Sequence, residues 1–238
     1  MTAPAPSSRR RNTPGDRTRC QILDSAEKIC AEQGLESLSV RAVSEDARVN
    51  LAAINYHFGG KQGLIEAMFA RRVVPMNARR LALLDGYAAQ GREPALEEIV
   101  HAFVHPPLWL RREPGCGPHA SVVVSRFLAR AFITAGEPEF LAQYYEPVRS
   151  RFILALRGQL PGLELPELLW RYNMMVGAVI YAMGGTDRMS RPPQALQGIA
   201  APIPCDEEAG IRYMVRFLAA GLRMVGSPRP APARKAKK

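Results

Sequence analysis

The sequence predicts an all-α protein, and three observations support this fold class. Apolar residues recur at helical spacing through almost the whole 238-residue chain. The apolar–polar alternation that is typical of strands is nearly absent, and Val122–Val124 is the one β-branched run. Good N-cap residues and glycines stand where the helical pattern starts and stops.

The first helix is predicted over residues 16–33. Its apolar face repeats at i, i+1, i+4, i+7 and i+8 from Ile22, and Gly34 is a suitable C-terminal stop. Ser39 is a good N-cap for a second, short helix over Val40–Ala47. After a tight turn, Asn50 can cap a third helix that runs from Leu51 to His57 or Phe58.

Longer helices follow the Gly59-Gly60 pair. The first of them begins at Lys61 and contains Pro75, where we expect a kink. The segment 191–205 holds four prolines and is predicted to be a loop. The predicted helices after the third cover residues 61–90, 94–111, 118–134, 138–160, 165–189 and 206–225.

The net charge of +10 suggests a polyanionic partner, but most of it lies in the two tails. Residues 1–15 contain three arginines and no acid, and residues 227–238 contain five basic residues and no acid. Both tails are rich in proline and alanine, so we expect them to be disordered. They can serve either as solubility devices or as DNA-binding arms.

Several protein classes are excluded. Met174–Met183, the longest nearly uninterrupted apolar run, is shorter than the roughly 20 residues of a membrane span, and no signal peptide is visible. A soluble, cytoplasmic protein without a membrane partner is therefore expected. The four cysteines form no CxxC pair, so no metal or cofactor is predicted. The chain has no P-loop, GxGxxG or GxSxG motif and no evident carboxylate pair, which argues against an enzyme.

Residues 39–58 have the proportions of a helix-turn-helix, in which the second helix enters the major groove of DNA. Small side chains on that helix permit close approach to base edges, and polar ones can bind bases or phosphates. The alternative is an ordinary short helix pair whose end is packed by aromatic residues. The predicted DNA-binding residues are Arg41, Asn50, Leu51, Ala52, Ala53, Asn55, Tyr56, His57 and Lys61.

The stretch from Arg17 to Arg72 resembles the DNA-binding domain of the TetR family of bacterial repressors. The matching strings are Ile22-Leu23-x-x-Ala26, Gly34, Ser39-Val40-Arg41-x-Val43-x-x-x-Ala47-x-Val49 and Asn55-Tyr56-His57-Phe58-Gly59-Gly60-Lys61-x-x-Leu64-Ile65. The family usually has tyrosine at position 55 and often glycine at position 48. Arg48 would cost some stability if its backbone is left-handed.

The resemblance implies a homodimer that binds a palindromic operator in double-stranded DNA and is released by a ligand. It also implies an N-terminal three-helix DNA-binding domain and a C-terminal helical domain for ligand binding and dimerisation. The predicted DNA-binding domain, residues 16–72, has eight basic and eight acidic residues, so binding must depend on where the charges lie. The predicted boundaries are a basic arm at 1–15, these two domains at 16–72 and 73–226, and a basic tail at 227–238.

Two helices in the second domain carry apolar seams with spacings of three and four residues. Such seams are typical of paired helices, and the resemblance implies an interface of two helices from each chain. The alternative is that both seams belong to the internal core. The predicted dimer residues are Leu168, Tyr172, Met175, Val179, Ile211, Val215, Leu218 and Leu222.

An apolar pocket with a cationic anchor is predicted between the DNA-binding domain and these helices. Arg126 and Arg130 lie one turn apart in an apolar segment and can meet an anionic head group. The remaining predicted ligand residues are Phe103, Trp109, Tyr144, Tyr172 and Met175.

The strings Asn50–Lys61 and Ala102–Leu108 are similar to those of one TetR branch, which responds to long-chain fatty acids or acyl-CoA. The predicted function is thus a ligand-responsive transcriptional repressor with a fatty acid or acyl-CoA as its effector. The alternative is a protein that coats DNA without sequence preference through its basic tails.

Overall fold

The computed structural model describes residues 13–110, 129, 139–183, 193–196 and 207–224. Within these ranges the protein has eight α-helices, one short 3₁₀ helix at Gln194–Leu196 and no strand, so the predicted fold class is confirmed. The helices are α1 (Pro14–Gln33), α2 (Val40–Asp46), α3 (Leu51–Phe58), α4 (Lys61–Ala88), α5 (Leu96–Trp109), α6 (Glu139–Gln159), α7 (Leu165–Met183) and α8 (Glu207–Arg223).

Helix α1 begins two residues before the predicted start because of a capping box. The Thr13 hydroxyl accepts from the Asp16 backbone N–H at 3.2 Å, and the Asp16 carboxylate accepts from the Thr13 N–H at 3.0 Å. Pro14 takes the first helical position, where a missing N–H costs nothing. At the other end Gly34 has φ +96° and its N–H donates to Cys30 O, as the sequence predicted for a stop.

The chain divides into two compact units at Pro75, inside the continuous helix α4. The first unit contains α1, α2, α3 and the start of α4. The second contains α4 from Met76, α5, α7, α8 and α6 from Ala142. The predicted domain boundaries stay a prediction. The predicted helix 118–134, apart from residue 129, and both tails lie outside the described residues.

Ion pairs fix the helices of the first unit to one another. Buried Arg72 of α4 donates to both carboxylate oxygens of Glu27 on α1, at 2.8 and 2.9 Å. Asp46, at the end of α2, accepts from Ser25 at 2.6 Å and from Lys28 at 2.8 Å, both on α1. A carboxylate that accepts two hydrogen bonds restricts the orientation of its partners as well as their distance, so α1 holds α2 and α4 in defined positions.

In the second unit, α8 packs against α5 and α7. The apolar face of α8 is buried at Ile211, Leu218, Ala219 and Leu222, and α5 contributes a row of fully buried residues that includes Ile99 and Val104. None of the described helices combines the length and the hydropathy that a membrane span requires.

Candidate functional site

Helices α2 and α3 form a helix-turn-helix whose caps agree with the sequence. The Ser39 hydroxyl accepts from the Ala42 N–H at 3.1 Å, and the Asn50 side-chain oxygen accepts from the Ala52 N–H at 2.9 Å. Ser44 closes the turn, because its hydroxyl donates to Val49 O at 2.8 Å. These local bonds set the angle at which α3 leaves the turn.

Helix α3 has one fully buried residue, Ile54, and an otherwise solvent-facing surface. Tyr56 is 86% exposed and Leu51 is 46% exposed, which is unusual for large apolar or aromatic side chains. Asn50, Ala52 and Asn55 are exposed, and Ala53 and His57 are half-buried. The predicted recognition residues therefore share an accessible surface, with Ile54 as the anchor beneath it.

The C-terminal end of α3 lies close to α1. A Cβ atom on Gly15, in the first turn of α1, would lie 3.9 Å from His57 Cε1. The Tyr56 and His57 rings meet edge to face with centroids 5.1 Å apart, and the Arg19 guanidinium lies 5.3 Å from the centre of the Phe58 ring. The first turn of α1 therefore borders the predicted DNA-binding surface.

Three glycines allow α3 to connect to α4. Gly59 is left-handed at φ +71° and its N–H donates to Asn55 O, while Gly60 has φ +120°. Gly63 has an ordinary helical backbone, but a Cβ there would lie 1.9 Å from Phe58 O. This requirement was not predicted, because it depends on the backbone path through Gly59 and Gly60, which places Phe58 O against the first turn of α4.

Cations in the first unit differ in what they already bind. Arg41 pairs with Glu45 at 3.0 Å, and both side chains are mostly exposed, so a phosphate can replace that weak pair. Within the described part of this unit, Arg17, Arg48 and Lys61 are exposed and form no ion pair. Arg17, which was not predicted, is exposed near the start of α1 and is a further phosphate candidate. Exposed basic side chains can therefore contact phosphates, even though residues 16–72 carry no net charge.

The residues predicted for a ligand pocket fall into separate groups. Phe103 and Tyr172 come together, with ring centroids 5.6 Å apart, and Met175 is buried on the same helix as Tyr172. Tyr144 is half-buried, and its carbonyl accepts from Asn77 at 2.8 Å. Arg126 and Arg130 lie outside the described residues.

Trp109 belongs to a different group. It stacks on His105 at 5.1 Å, and both line a cavity of about 260 Å³ between α5 and α8. The neighbouring His101 ring is hydrogen-bonded to the Tyr87 hydroxyl at 3.0 Å, and burial lowers the pKa of both histidines. Among the described residues, no three histidine, cysteine or acidic side chains are arranged to hold a metal ion.

The eight residues predicted for a dimer interface are all buried within one chain, from 0% exposed for Leu168 to 9% for Val215. This burial within one chain favours the alternative interpretation, in which both seams belong to the internal core. The assignment of these residues to a dimer interface stays a prediction. Both helices have a second, exposed apolar face, formed by Trp170, Met174 and Tyr181 on α7 and by Tyr213 and Phe217 on α8.

Two family models match this chain. The model described as bacterial regulatory proteins, tetR family, matches residues 22–68, and the model described as tetracyclin repressor-like, C-terminal domain, matches residues 101–221. The second match covers half of the chain. The protein belongs to the TetR family. TetR-family proteins are transcription regulators rather than enzymes, with a DNA-binding helix-turn-helix and a C-terminal ligand-binding domain.

Individual proteins are similar to this chain in sequence or in fold. The chain is 41% identical over 49 residues to a Bacillus subtilis (strain 168) protein named Probable HTH-type transcriptional regulator YttP, and the match spans 24% of that protein's length. The ketosteroid transcriptional regulator KstR2 of Mycobacterium tuberculosis has a similar fold, with TM-score 0.55 and 17% identity over 85% of this chain and 93% of that one. The fatty acid degradation regulator FadR of Bacillus halodurans has TM-score 0.51 and 15% identity over 90% and 99%.

Proposed function

We propose that this TetR-family chain is a repressor that binds a palindromic operator as a homodimer and is released by a small effector. The exposed surface of α3 carries this proposal. Over the buried Ile54 it presents Ala52, Asn55 and Tyr56 to solvent, which is the arrangement that a major-groove helix needs.

The small residues of α3 suit direct base contacts. Ala52 and Ala53 lie in its first turn, where their methyl groups can contact thymine methyl groups. Asn50 uses its side-chain oxygen as the helix cap, which leaves its amide N–H groups as donors. Asn55 and the exposed Tyr56 supply further donors. The DNA sequence is thus recognised by a few short side chains and not by electrostatic attraction.

Phosphate contacts are supplied by Lys61 at the start of α4, by Arg41 and by Arg17. Lys61→Ala should weaken binding to every DNA sequence to a similar extent and reduce the slope of log affinity against log salt by about 0.9. The measurement is a fluorescence-anisotropy titration of a labelled operator at several salt concentrations. Arg157→Ala, which removes an exposed arginine of the second unit, is the control and should leave the slope unchanged. An unchanged slope for Lys61→Ala would remove that residue from the phosphate contacts.

Selection of bound DNA from a random pool tests the operator itself. A repressor dimer should enrich one palindromic site, because two identical α3 helices read two half-sites. Enrichment of no site, together with binding that is lost when residues 1–15 and 227–238 are removed, would favour the alternative of a DNA-coating protein.

The exposed faces of α7 and α8 support the homodimer. Trp170, Met174 and Tyr181 follow one another at helical spacing on α7, and Tyr213 and Phe217 do so on α8. Gly177 and Gly221 lie on the same helices with open space where a Cβ would stand, which permits close helix approach. A second copy that covers these faces with its own would remove large apolar side chains from water.

A fatty acid or acyl-CoA is proposed as the effector, on the strength of the resemblance in Asn50–Lys61 and Ala102–Leu108. Thermal-shift measurements with C12–C18 acids and their CoA esters test this class. Binding to the folded chain alone must raise its melting temperature. If no compound of either kind does so, the lipid effector is wrong, whereas the operator selection still decides whether the chain is a repressor.

A further inference from the structure

The described residues include three buried arginines, and they differ in what balances their charge. Arg72 is paired with both oxygens of Glu27. Arg171 is paired with Glu167 and also donates to backbone carbonyls at the end of α8. Arg80 of α4 is 5% exposed, the most buried of the three, and no carboxylate of the described residues pairs with it.

One edge of the Arg80 guanidinium has a structural role. Its Nε donates to Phe103 O at 3.0 Å, and Nη1 lies 3.4 Å from Asn77 Oδ1. The Phe103 carbonyl needs an outside donor because the residue four positions later is Pro107, which has no N–H. The guanidinium also lies over the Phe103 ring, 4.0 Å from its centre. These partners are neutral, so they satisfy hydrogen bonds without cancelling the charge.

The surroundings of Arg80 are aromatic. The Phe103 ring packs edge-on against Phe152 at 5.2 Å and Tyr172 at 5.6 Å. Burial lowers the pKa of Arg80 to about 10 and raises the pKa of Tyr172 to about 12, so at neutral pH the arginine is charged and the phenol is protonated. A buried cation beside a protonated phenol attracts an anion that accepts hydrogen bonds.

We propose that Arg80 binds the carboxylate of the effector, and that the effector is a free carboxylic acid with an apolar or aromatic body. This inference rests on the proposed function and narrows its ligand class. The body of the acid would lie among Phe103, Phe152 and Tyr172, and because these side chains are 0–5% exposed in the ligand-free chain, binding requires the rings to move apart. A CoA thioester of the same acid has no carboxylate at that end, so it is not the ligand of this site. Arg126 and Arg130, which the sequence predicts for a similar role, lie outside the described residues.

The test uses dodecanoate and 4-phenylbutyrate, each with its primary amide and its CoA thioester, at constant ionic strength. Isothermal titration and thermal shift are measured on the full chain. We expect both acids to bind and to raise the melting temperature, whereas the amides and thioesters bind at least about tenfold more weakly because they lack the charge-assisted bond.

Variants separate recognition from a merely structural role. Arg80→Gln keeps a donor for Phe103 O but loses the charge, and it should bind the acids about tenfold more weakly and no longer distinguish them from the amides. Arg80→Lys should keep the preference for acid over amide, which secures the test if the glutamine variant does not fold. Arg79→Gln, a change at the exposed neighbouring arginine, should bind as the wild type does.

Three outcomes would overturn the proposal: neither acid binds the wild type, the acids bind Arg80→Gln as tightly as the wild type, or the thioesters bind as tightly as the acids. Operator binding by the ligand-free wild type is measured in parallel. If it is absent, the proposed function fails whatever Arg80 binds. If it is present while the acids fail, only the assignment of Arg80 is wrong.

Discussion

Two residues in the helix-turn-helix region show how much depends on single backbone positions. Arg48, in the turn between α2 and α3, has φ +54°, so the family's frequent glycine at this position is replaced by a side chain in a left-handed conformation. Gly63 is needed for the opposite reason, because its missing Cβ makes room for Phe58 O. Arg48 therefore has a strained backbone, whereas Gly63 avoids a steric clash.

Arg48→Gly should stabilise the chain. The left-handed conformation costs an ordinary residue about 1–2 kcal/mol, and glycine returns about 0.5–1 kcal/mol of this through its freer unfolded chain. The net gain in the free energy of unfolding is therefore about 0.5–1 kcal/mol, measured by urea denaturation. Arg48→Ala retains the Cβ and serves as the control, which should not be stabilised. Equal gains in the two variants would show that the strain is not the cause.

At the scale of elements, α7 and α8 are joined by a cap as well as by apolar packing. Arg171 of α7 is buried, and its Nη1 donates to Leu222 O at 2.7 Å and to Met224 O at 2.6 Å, where α8 ends. The last carbonyls of a helix have no partners within it, and a cation is favourable at this negative end. Arg171 thus ends α8 and fixes it to α7.

Arg171→Met should destabilise the second unit by about 3 kcal/mol, because it leaves buried carbonyls and the Glu167 carboxylate without their donor. Urea denaturation followed by circular dichroism measures the change. Arg157→Met removes an arginine that is exposed on α6 and should change stability by no more than about 0.5 kcal/mol. A similarly small effect for Arg171→Met would mean that the apolar packing of α7 and α8 alone holds them together.

For the whole molecule, the proposed dimer depends more on the distribution of apolar surface than on the net charge of +10. The tails carry most of that charge and lie outside the described residues, whereas the predicted DNA-binding domain is neutral. The second unit buries one apolar face of α7 and α8 and exposes the other. An operator with two half-sites and a dimer with two α3 helices require the same two-fold symmetry.

Phe217→Asp should convert the proposed dimer to a monomer, since Phe217 is 76% exposed on the α8 face and a second copy would have to bury the new charge. Light scattering should give about twice the 26.2 kDa chain mass for the wild type and that mass for the variant. Leu154→Asp, at an exposed leucine of α6, is the matched control and should remain dimeric. A wild-type mass of one chain would contradict the dimer.

The helices and the helix-turn-helix could be predicted from the sequence, because they depend on neighbouring residues. The Ser39 and Asn50 caps, the stop at Gly34 and the spacing of apolar residues act within a few positions of one another, so they can be recognised without a fold. The exposed surface of α3 followed from the same periodicity, because Ile54 is the position that must face inward.

Which helix faces are covered and which charges are paired depends on tertiary packing. Two apolar faces of α7 look alike in sequence, and packing alone determines that Leu168 and Tyr172 are buried while Trp170 and Met174 are exposed. Arg80 lies among the buried apolar residues of α4. Whether it meets a carboxylate depends on residues far away in the chain, because charge pairing is a property of distance in space.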